Sequence, residues 1–283
     1  MNAQHSKDEL FPDEITLSSM NGDIVRANPY GAHVVSWVST DGQERLFLSS
    51  KSEFKRGAAI RGGVPIIFPQ FGAKGDLPRH GFARTLTWEV ARVTADQAVF
   101  RLSKADLTKV ADDKLLRLWS HHFLVEYSVR VEAGRLELSL IVKNTGQTEF
   151  NFTAALHTYL RVGELSKAAV SGLQGLVYQD NASDGRDVLE DAGRVTFGGE
   201  VDRLYLDVPA DLKLTSGERE VNIHAEGFPD AVVWNPGKEK SAKMADMEQE
   251  GYLHFVCVEA AVAGRPVSLK PGGTWQGRQV LSI

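Results

Sequence analysis

Short stretches of alternating or β-branched apolar residues follow one another along nearly the whole chain, and they constrain its fold more than any other feature. The clearest is HHFLVEYSVRVEAGRLELSLIVKNTG, residues 121–146, in which two strands flank the turn-forming residues 132–135. Helix patterns are few: residues 104–119 could form a helical turn or two, and residues 238–247 a short surface helix. We therefore predict an all-β fold, a large antiparallel β-sandwich of two sheets with few short helices.

No repeat, low-complexity tract or linker divides the 283 residues. We expect one domain over residues 1–283, with residues 1–13 as a loosely ordered N-terminal segment. The net charge of −5 argues against a nucleic-acid binder, which usually carries a basic face. No apolar run is long enough to span a bilayer, and the N-terminus lacks the apolar core of a signal peptide. The single cysteine, Cys257, can form no internal disulfide, which favours a reducing cytoplasm.

One carboxylate, Glu259, interrupts the apolar run FVCVEAAVAG at residues 255–264. Because residues two apart share a face of a strand, Glu259 should lie beside Cys257 and Ala261, with a fully apolar face behind it. A carboxylate in such a place is costly unless it has a partner. Two interpretations are open: a structural ion pair or sheet-rim residue, and a catalytic carboxylate in a concave place.

The segment FTAALHTYLRV, residues 152–162, places His157 opposite an apolar face. Every second residue from Phe152 to Val162 is apolar except Thr158, whereas the other face carries His157 among polar neighbours. From the strand alone, His157 is either a partly exposed histidine bonded to a neighbour or a functional group.

The segment RGGVPIIFPQFGAKGDLPRHGFAR, residues 61–84, differs from the strands because it is rich in glycine and proline. Glycines let a backbone approach a ligand closely. Arginines grip carboxylate or phosphate groups through two parallel donors. The segment is therefore either a rigid surface loop with solvated arginines or an anion-binding segment.

Several other chemistries fit the sequence poorly. The nucleotide-binding patterns GxGxxG and GxxxxGK[ST] and the GxSxG nucleophile turn are missing from the sequence. The pair His121-His122 lacks the spacing of a zinc site, and no cysteine cluster exists. We expect neither a cofactor nor a metal.

Six blocks of the chain, taken together and in order, resemble the aldose 1-epimerase (mutarotase) superfamily, and within it most closely the hexose-6-phosphate mutarotases. The resemblance runs from about residue 20 to the C-terminus. Each block alone is weakly specific, but their joint order is specific. The blocks are RGGVPIIFPQFG, LPRHGFAR, ALHTYLRV, EVDRLY, VVWNPG and FVCVEAA.

This resemblance implies a galactose-mutarotase-like β-sandwich that holds a sugar in a concave cleft on one sheet. It implies interconversion of the α and β anomers of a hexose 6-phosphate, glucose 6-phosphate above all, by a monomer whose partner is a small-molecule sugar phosphate rather than nucleic acid or membrane. Arginine would suit an anionic substrate at position 79, where some relatives have glutamine. The implied catalytic residues are His157 and Glu259, and the implied substrate-binding residues are Arg61, Arg79, His80, Arg84 and Asp202.

Elementary chemistry agrees with this assignment. Opening a pyranose requires a base at the anomeric hydroxyl and an acid at the ring oxygen. We expect Glu259 as the carboxylate base and His157 as an imidazolium acid, which a nearby anion would keep protonated. Two alternatives are open: a mutarotase of unphosphorylated hexoses, and a non-catalytic module that binds sugar phosphates.

Overall fold

The computed structural model describes residues 14–110 and 112–283. The N-terminal segment predicted to be loosely ordered, residues 1–13, lies outside these residues. Strands make up most of the described chain. They are β1 (Ile15–Ser18), β2 (Ile24–Asn28), β3 (His33–Val38), β4 (Ile66–Ile67), β5 (Glu89–Val93), β6 (Gln97–Ser103), β7 (Phe123–Glu132), β8 (Arg135–Asn144), β9 (Phe150–Leu156), β10 (Tyr159–Arg161), β11 (Ala168–Ser171), β12 (Val177–Asp180), β13 (Asp187–Leu189), β14 (Val195–Thr196), β15 (Val201–Tyr205), β16 (Asp211–Ser216), β17 (Arg219–Glu226), β18 (Asp230–Asn235), β19 (Phe255–Leu269) and β20 (Thr274–Ser282).

The strands form two large antiparallel sheets and one small one. One sheet has nine strands in the order β14-β11-β16-β17-β20-β8-β7-β6-β5. The other has eight, in the order β13-β12-β15-β18-β19-β9-β4, with β10 also paired to β19. The predicted antiparallel sandwich is confirmed. The third sheet, β1-β2-β3, is an addition, because strand patterns show which segments are extended but not which sheet they join.

The main apolar core joins the two large sheets. Val256 and Val258 of β19 belong to the same buried cluster as Leu138 and Leu140 of β8. The opposite side of the eight-stranded sheet, which we call the open face, carries a smaller buried cluster. Its members include Phe47, Tyr159, Trp234, Phe255 and Cys257.

The predicted hairpin is confirmed, because β7 and β8 pair from Glu132 opposite Arg135 onward. Gly134, in the two-residue turn, has a φ of 63°, which glycine adopts without steric cost.

Short helical segments connect some of the strands. The predicted turns within residues 104–119 are confirmed as two helices, the second of which is capped by Asp112, whose Oδ1 accepts from the Leu115 N–H at 2.7 Å. The surface helix predicted for residues 238–247 is wrong in extent, since only Gly237–Ser241 is helical and the following residues form turns. The α-helices are α1 (Lys104–Val110), α2 (Asp113–Leu118) and α3 (Gly237–Ser241), and the 3₁₀ turns are Ala83–Thr85, Leu165–Lys167 and Gly251–His254. No helix within residues 14–110 and 112–283 is long and apolar enough to cross a membrane.

Candidate active site

Glu259 projects from the middle of β19 onto the open face. The alternation predicted from sequence is confirmed: Cys257 and Ala261 belong to the open-face cluster, whereas Val258 and Ala260 belong to the main core. The side chain of Glu259 is almost completely buried, at 2% exposure. A carboxylate so placed needs a partner.

That partner is His157, which lies between the ends of β9 and β10. Leu156 pairs with Ala260, and Tyr159 pairs with Cys257. Continuing this register across the gap places His157 opposite Glu259. Their side chains meet, with Nε2 of His157 3.2 Å from Oε1 of Glu259. The expectation that the two residues face each other is confirmed.

The sheet ladder is interrupted at this point. The Thr158 N–H donates to the carbonyl of Leu156 at 2.9 Å, and the His157 N–H donates to the carbonyl of Pro65 at 3.0 Å. Both amides thus bond to groups outside β19. The histidine is held by a local kink rather than by a continuous strand.

Aromatic rings fix the orientation of the His157 imidazole. It stacks on the Tyr159 ring, with centroids 4.9 Å apart and planes at 13°, and meets the Trp234 ring edge-on at 5.7 Å. Among the described residues, Nδ1 of His157 and Oε2 of Glu259 have no hydrogen-bond partner, although both atoms are buried. Buried polar atoms without partners are rare, and two of them lie in this one pair.

Burial pushes both members of the pair towards their uncharged forms. The pKa of His157 lies well below its usual value, first because of burial and then because His80, Arg84 and Arg61 add positive charge. Burial and the Asp202 carboxylate raise the pKa of Glu259 well above its usual value, against the opposing charge of Arg84. The expectation of an imidazolium at neutral pH is therefore wrong for the free protein, because burial and the nearby cations oppose a charge on the ring.

The other predicted site residues lie around the same cavity, which has a volume of about 510 Å³ and is open to solvent. His157 and Glu259 line it as well. Residues that lie far apart in the sequence are thus brought together. The five additional predicted residues that line the cavity are Arg61, Arg79, His80, Arg84 and Asp202.

Arg61 is held firmly before any ligand binds. Its Nε and Nη2 atoms lie 3.0 Å from Oδ2 of Asp246, and its Nη1 donates to the Tyr159 hydroxyl at 2.9 Å. The Asp246 carboxylate therefore offsets the charge of this guanidinium.

Arg79 and Arg84, by contrast, form no salt bridge with any carboxylate of the described residues. Arg84 donates from Nη2 to the carbonyl of Arg79 at 3.1 Å, and its buried Nε has no partner within the described chain. Burial, together with the nearby cations Arg61 and Arg79, lowers the pKa of Arg84 to about 10. An incoming anion would relieve this repulsion.

His80 sits in a tight loop between the two arginines. Its φ of 67° is unusual for a residue with a side chain, and such strain is found most often at functional sites. Its Nδ1 accepts from the Gly72 N–H at 3.3 Å, so the ring proton resides on Nε2. Burial and the positive charges of Arg84, Arg79 and Arg61 lower the pKa of His80 to about 3, which keeps the ring neutral.

The glycines at positions 62 and 63 serve the protein rather than a ligand. A Cβ on Gly62 would lie 2.4 Å from the carbonyl oxygen of Phe47, and one on Gly63 would lie 2.1 Å from that of Val34. They let the Arg61 segment pack directly on the backbones of Phe47 and of Val34 in β3.

Asp202 faces the cavity from β15. Its carboxylate accepts from the Asn181 side chain at 3.3 Å and lies 4.0 Å from Nζ of Lys240. Burial raises the pKa of Asp202, and the bond from Asn181 opposes that shift.

Sequence reasoning missed several cavity residues. Trp234 lies in the quoted block VVWNPG, where alternation with Val232 could have placed it on the open face. Lys240 and Met244 belong to the segment assigned to the surface, and nothing in the sequence marks them as cavity residues. The missed lining residues are Phe71, Gly72, Ala73, Lys74, Asn181, Val232, Trp234, Lys240 and Met244.

Positive charge predominates in the cavity lining. Five cationic side chains line it against two carboxylates, Asp202 and Glu259. Such a lining attracts an anionic ligand. The cations are Arg61, Lys74, Arg79, Arg84 and Lys240. Residues 14–110 and 112–283 contain no cluster of three or more His, Cys, Asp and Glu side chains that could hold a metal ion.

Known proteins resemble this chain over most of its length. A protein of Cenchrus ciliaris that carries the provisional name glucose-6-phosphate 1-epimerase is 39% identical over 262 residues, covering 89% of this chain and 79% of that protein. An Escherichia coli protein with the same provisional name is 37% identical, covering 89% of this chain and 84% of that protein. A solved structure of a provisionally named mutarotase from Salmonella typhimurium superposes with a TM-score of 0.84 at 31% identity, covering 95% of this chain and 89% of that one.

The sequence profile of one family spans almost the whole chain. It matches residues 13–282, which include the buried His157–Glu259 pair and all the cationic residues of the cavity. The chain belongs to the aldose 1-epimerase family.

Proposed function

We propose that this protein interconverts the α and β anomers of hexose 6-phosphates, with glucose 6-phosphate as the expected substrate. The observation that carries the proposal is the His157–Glu259 pair, whose Nε2 and Oε1 atoms lie 3.2 Å apart, in a cavity lined mainly by cations. The provisional names of the Cenchrus and Escherichia coli relatives support the same reaction.

The reaction needs one proton removed and one supplied. Glu259 takes the proton of the anomeric hydroxyl as the C1–O1 bond gains double-bond character. His157 gives a proton to the ring oxygen as its bond to C1 breaks. Rotation about C1–C2 presents the other carbonyl face, and the two groups reverse their roles on ring closure. Each group is expected to supply a factor of about 10²–10⁴.

The buried pair already holds the proton that this sequence needs. A neutral imidazole beside a carboxylic acid and an imidazolium beside a carboxylate contain the same number of protons. Burial favours the first form in the free protein. The second form supplies the base and the acid, so the proton must pass from Glu259 to His157 in the substrate complex before the ring opens.

The phosphate subsite is best assigned to Arg79 and Arg84. Neither forms a salt bridge within the described chain, whereas Arg61 is paired with Asp246. Arg61 is therefore suited to orient neutral hydroxyl groups of the sugar. This division gives separate roles to the three arginines that the family resemblance implies only as substrate-binding residues.

Asp202 and His80 are suited to bind the remaining hydroxyl groups. The Asp202 carboxylate can accept hydrogen bonds, and the neutral His80 ring can donate one from Nε2. Both residues line the cavity with the catalytic pair.

Neither alternative is favoured. A mutarotase of unphosphorylated hexoses has no need for the two cations Arg79 and Arg84, which form no salt bridge within the described residues. A module that only binds sugar phosphates has no need for a buried acid–base pair, whose desolvation is costly.

We also propose that the chain works as a single-domain monomer in the cytoplasm. One chain supplies the whole lining of the cavity, and its single cysteine, Cys257, is buried and unpaired. Sedimentation equilibrium tests the monomer: a concentration-independent mass of one chain is expected, and a stable dimer contradicts it.

Exchange NMR on the α and β anomeric protons tests the reaction across glucose, galactose, mannose and their 6-phosphates. We expect catalytic exchange of the 6-phosphates at enzyme concentrations that leave the free sugars near their spontaneous rates. Faster exchange of the free sugars supports the first alternative, and tight binding without any acceleration supports the second. Either result overturns the proposal.

A further inference from the structure

We propose that Gln279 is a positioning residue that fixes the spacing between His157 and Glu259 from behind the sheet. Gln279 lies on β20 of the nine-stranded sheet and is completely buried in the core. It does not line the cavity, and within the described residues its side chain forms hydrogen bonds to Thr158 and Val258 rather than to His157 or Glu259. The kinetic part of this inference rests on the proposed mutarotase reaction, whereas its geometric part does not.

The inference begins with a missing hydrogen bond. In an antiparallel ladder every second pair of opposed residues exchanges two backbone hydrogen bonds, and Thr158 and Val258 stand at such a position. Thr158 and Val258 keep one of these, since the Val258 N–H donates to the carbonyl of Thr158 at 3.2 Å. The other is lost, because the Thr158 N–H turns to the carbonyl of Leu156 instead. The buried carbonyl of Val258 is thereby left without its strand partner.

Gln279 supplies the replacement. Its Nε2 donates to the carbonyl of Val258 at 3.2 Å, and its Oε1 accepts from the Thr158 hydroxyl at 2.6 Å. One amide group thus links the segment that carries Thr158 to β19, at the position where the ladder between them is broken. A buried side-chain amide with both ends bonded is held in one orientation.

The two residues that Gln279 ties are the immediate neighbours of the catalytic pair. Thr158 follows His157, and Val258 precedes Glu259. Because successive side chains of a strand point to opposite faces, a bond in the core can fix a backbone whose next side chain faces the cavity. A small shift of Thr158 relative to Val258 changes the distance between the imidazole and the carboxylate.

Asn144 offers a matched control. It is also a completely buried amide at the interface of the two large sheets, and its Nδ2 donates to the carbonyl of Leu269 at 2.8 Å. Leu269 is at the far end of β19, about 30 Å of strand from Glu259. Loss of either amide weakens the same sheet-to-sheet packing, but only Gln279 borders the catalytic pair.

The test compares Gln279→Met, Thr158→Val and Asn144→Leu by steady-state anomer exchange on glucose 6-phosphate. We expect Gln279→Met to lower kcat by about 10- to 100-fold, as misplacement of catalytic groups does, with little change in KM. Thr158→Val, which removes one hydroxyl with little change of shape, should lower kcat by a smaller factor. Asn144→Leu should lower the melting temperature but keep the wild-type kcat.

Three kinetic results overturn the inference: wild-type kcat in Gln279→Met, equal losses of kcat in Gln279→Met and Asn144→Leu, or a change confined to KM. If Gln279→Met does not fold, Thr158→Val decides in the same way, and wild-type kcat in it overturns the inference.

The ring ¹⁵N resonances of His157 provide a readout that does not depend on activity. We expect Gln279→Met to shift them and Asn144→Leu to leave them unchanged. If the wild-type protein shows no catalytic exchange, the proposed reaction fails, but this NMR difference still supports the positioning role. Unchanged His157 resonances in Gln279→Met overturn that role whatever the activity.

Discussion

His157 and Glu259 occupy directly opposed positions on adjacent segments of one sheet, and Nε2 of His157 lies 3.2 Å from Oε1 of Glu259. The ladder is broken beside them, so the pair is set by side-chain packing and by hydrogen bonds from other segments. In the free protein each group partners the other. A sugar that bonds to both must therefore loosen this contact, which places the acid and the base on either side of the anomeric carbon.

Removing either member of the pair should nearly abolish catalysis. We expect Glu259→Gln and His157→Asn each to lower kcat by about 10²–10⁴-fold, because each removes a proton-transfer group and leaves a side chain of similar size. Exchange NMR on glucose 6-phosphate measures the loss.

Cys257→Ala is the matched control for this prediction. Cys257 is buried two residues from Glu259 on the same face, but its thiol lies outside the cavity lining. This variant should lose stability through the cavity it creates and still retain most of the wild-type kcat. Near-normal rates in Glu259→Gln would falsify the assigned roles.

Arg84 should distinguish phosphorylated from free sugars. We expect Arg84→Met to raise KM for glucose 6-phosphate by about 10- to 100-fold, the effect of losing a hydrogen bond to a charged group. The weak activity on glucose should change by a smaller factor, because Arg84 also shifts the pKa of His157 and Glu259. Arg92→Met is the control, because Arg92 lies on β5 and does not line the cavity. Its substitution removes one positive charge, as Arg84→Met does. A parallel loss on both sugars would show that Arg84 does not contact the phosphate.

Asp246 should act through Arg61, whose guanidinium it holds with two contacts at 3.0 Å. We expect Asp246→Asn to weaken binding of glucose and glucose 6-phosphate by the same factor, about tenfold, because Arg61 then loses its charged anchor. Titration calorimetry with both sugars measures the two factors. A loss confined to glucose 6-phosphate would instead assign Arg61 to the phosphate.

The faces of the two catalytic strands could be predicted because alternation is local. Glu259 and His157 point where the spacing of their apolar neighbours places them, and Thr158 is the polar residue on the core face, where it bonds Gln279. The register between them could not be predicted. It depends on the broken ladder at Thr158 and on the distant residue Pro65, whose carbonyl accepts from the His157 N–H.

Protonation of the pair and the role of the helical segment depend on tertiary surroundings. The charge state of His157 depends on burial and on arginines distant in sequence, so residue type alone led to the wrong form.

The polar composition of residues 238–247 indicated a surface helix, yet the helix ends at Ser241, and Lys240 and Met244 face the cavity. Polar residues beside a concave site look like surface residues in a sequence.

The raised pKa of Glu259 makes a prediction about stability. Above pH 4.5, its usual pKa, the carboxyl is ionised in the unfolded chain but keeps its proton in the folded one, so folding takes up a proton. This contribution lowers the stability of the wild-type protein as pH rises from about 5 towards the folded-state pKa. Glutamine does not titrate, and His157 contributes to the pH dependence of stability in both proteins. We expect the melting temperature of Glu259→Gln to exceed that of wild type by a margin that grows between pH 5 and pH 8.

Glu226→Gln is the control, because its exposed carboxylate bonds to His224 and Arg278, which lower its pKa. The folded state favours the ionised form of Glu226. This group therefore stabilises the protein above its usual pKa of 4.5, and that stabilisation is lost as the pH falls through its lower pKa in the folded state. The difference between Glu226→Gln and wild type should therefore have the opposite sign at neutral pH and shrink in acid. Scanning calorimetry from pH 4 to pH 8 measures both series. A margin for Glu259→Gln that stays constant over this range would mean that Glu259 is ionised in the folded protein, and the shared proton would then have to be abandoned.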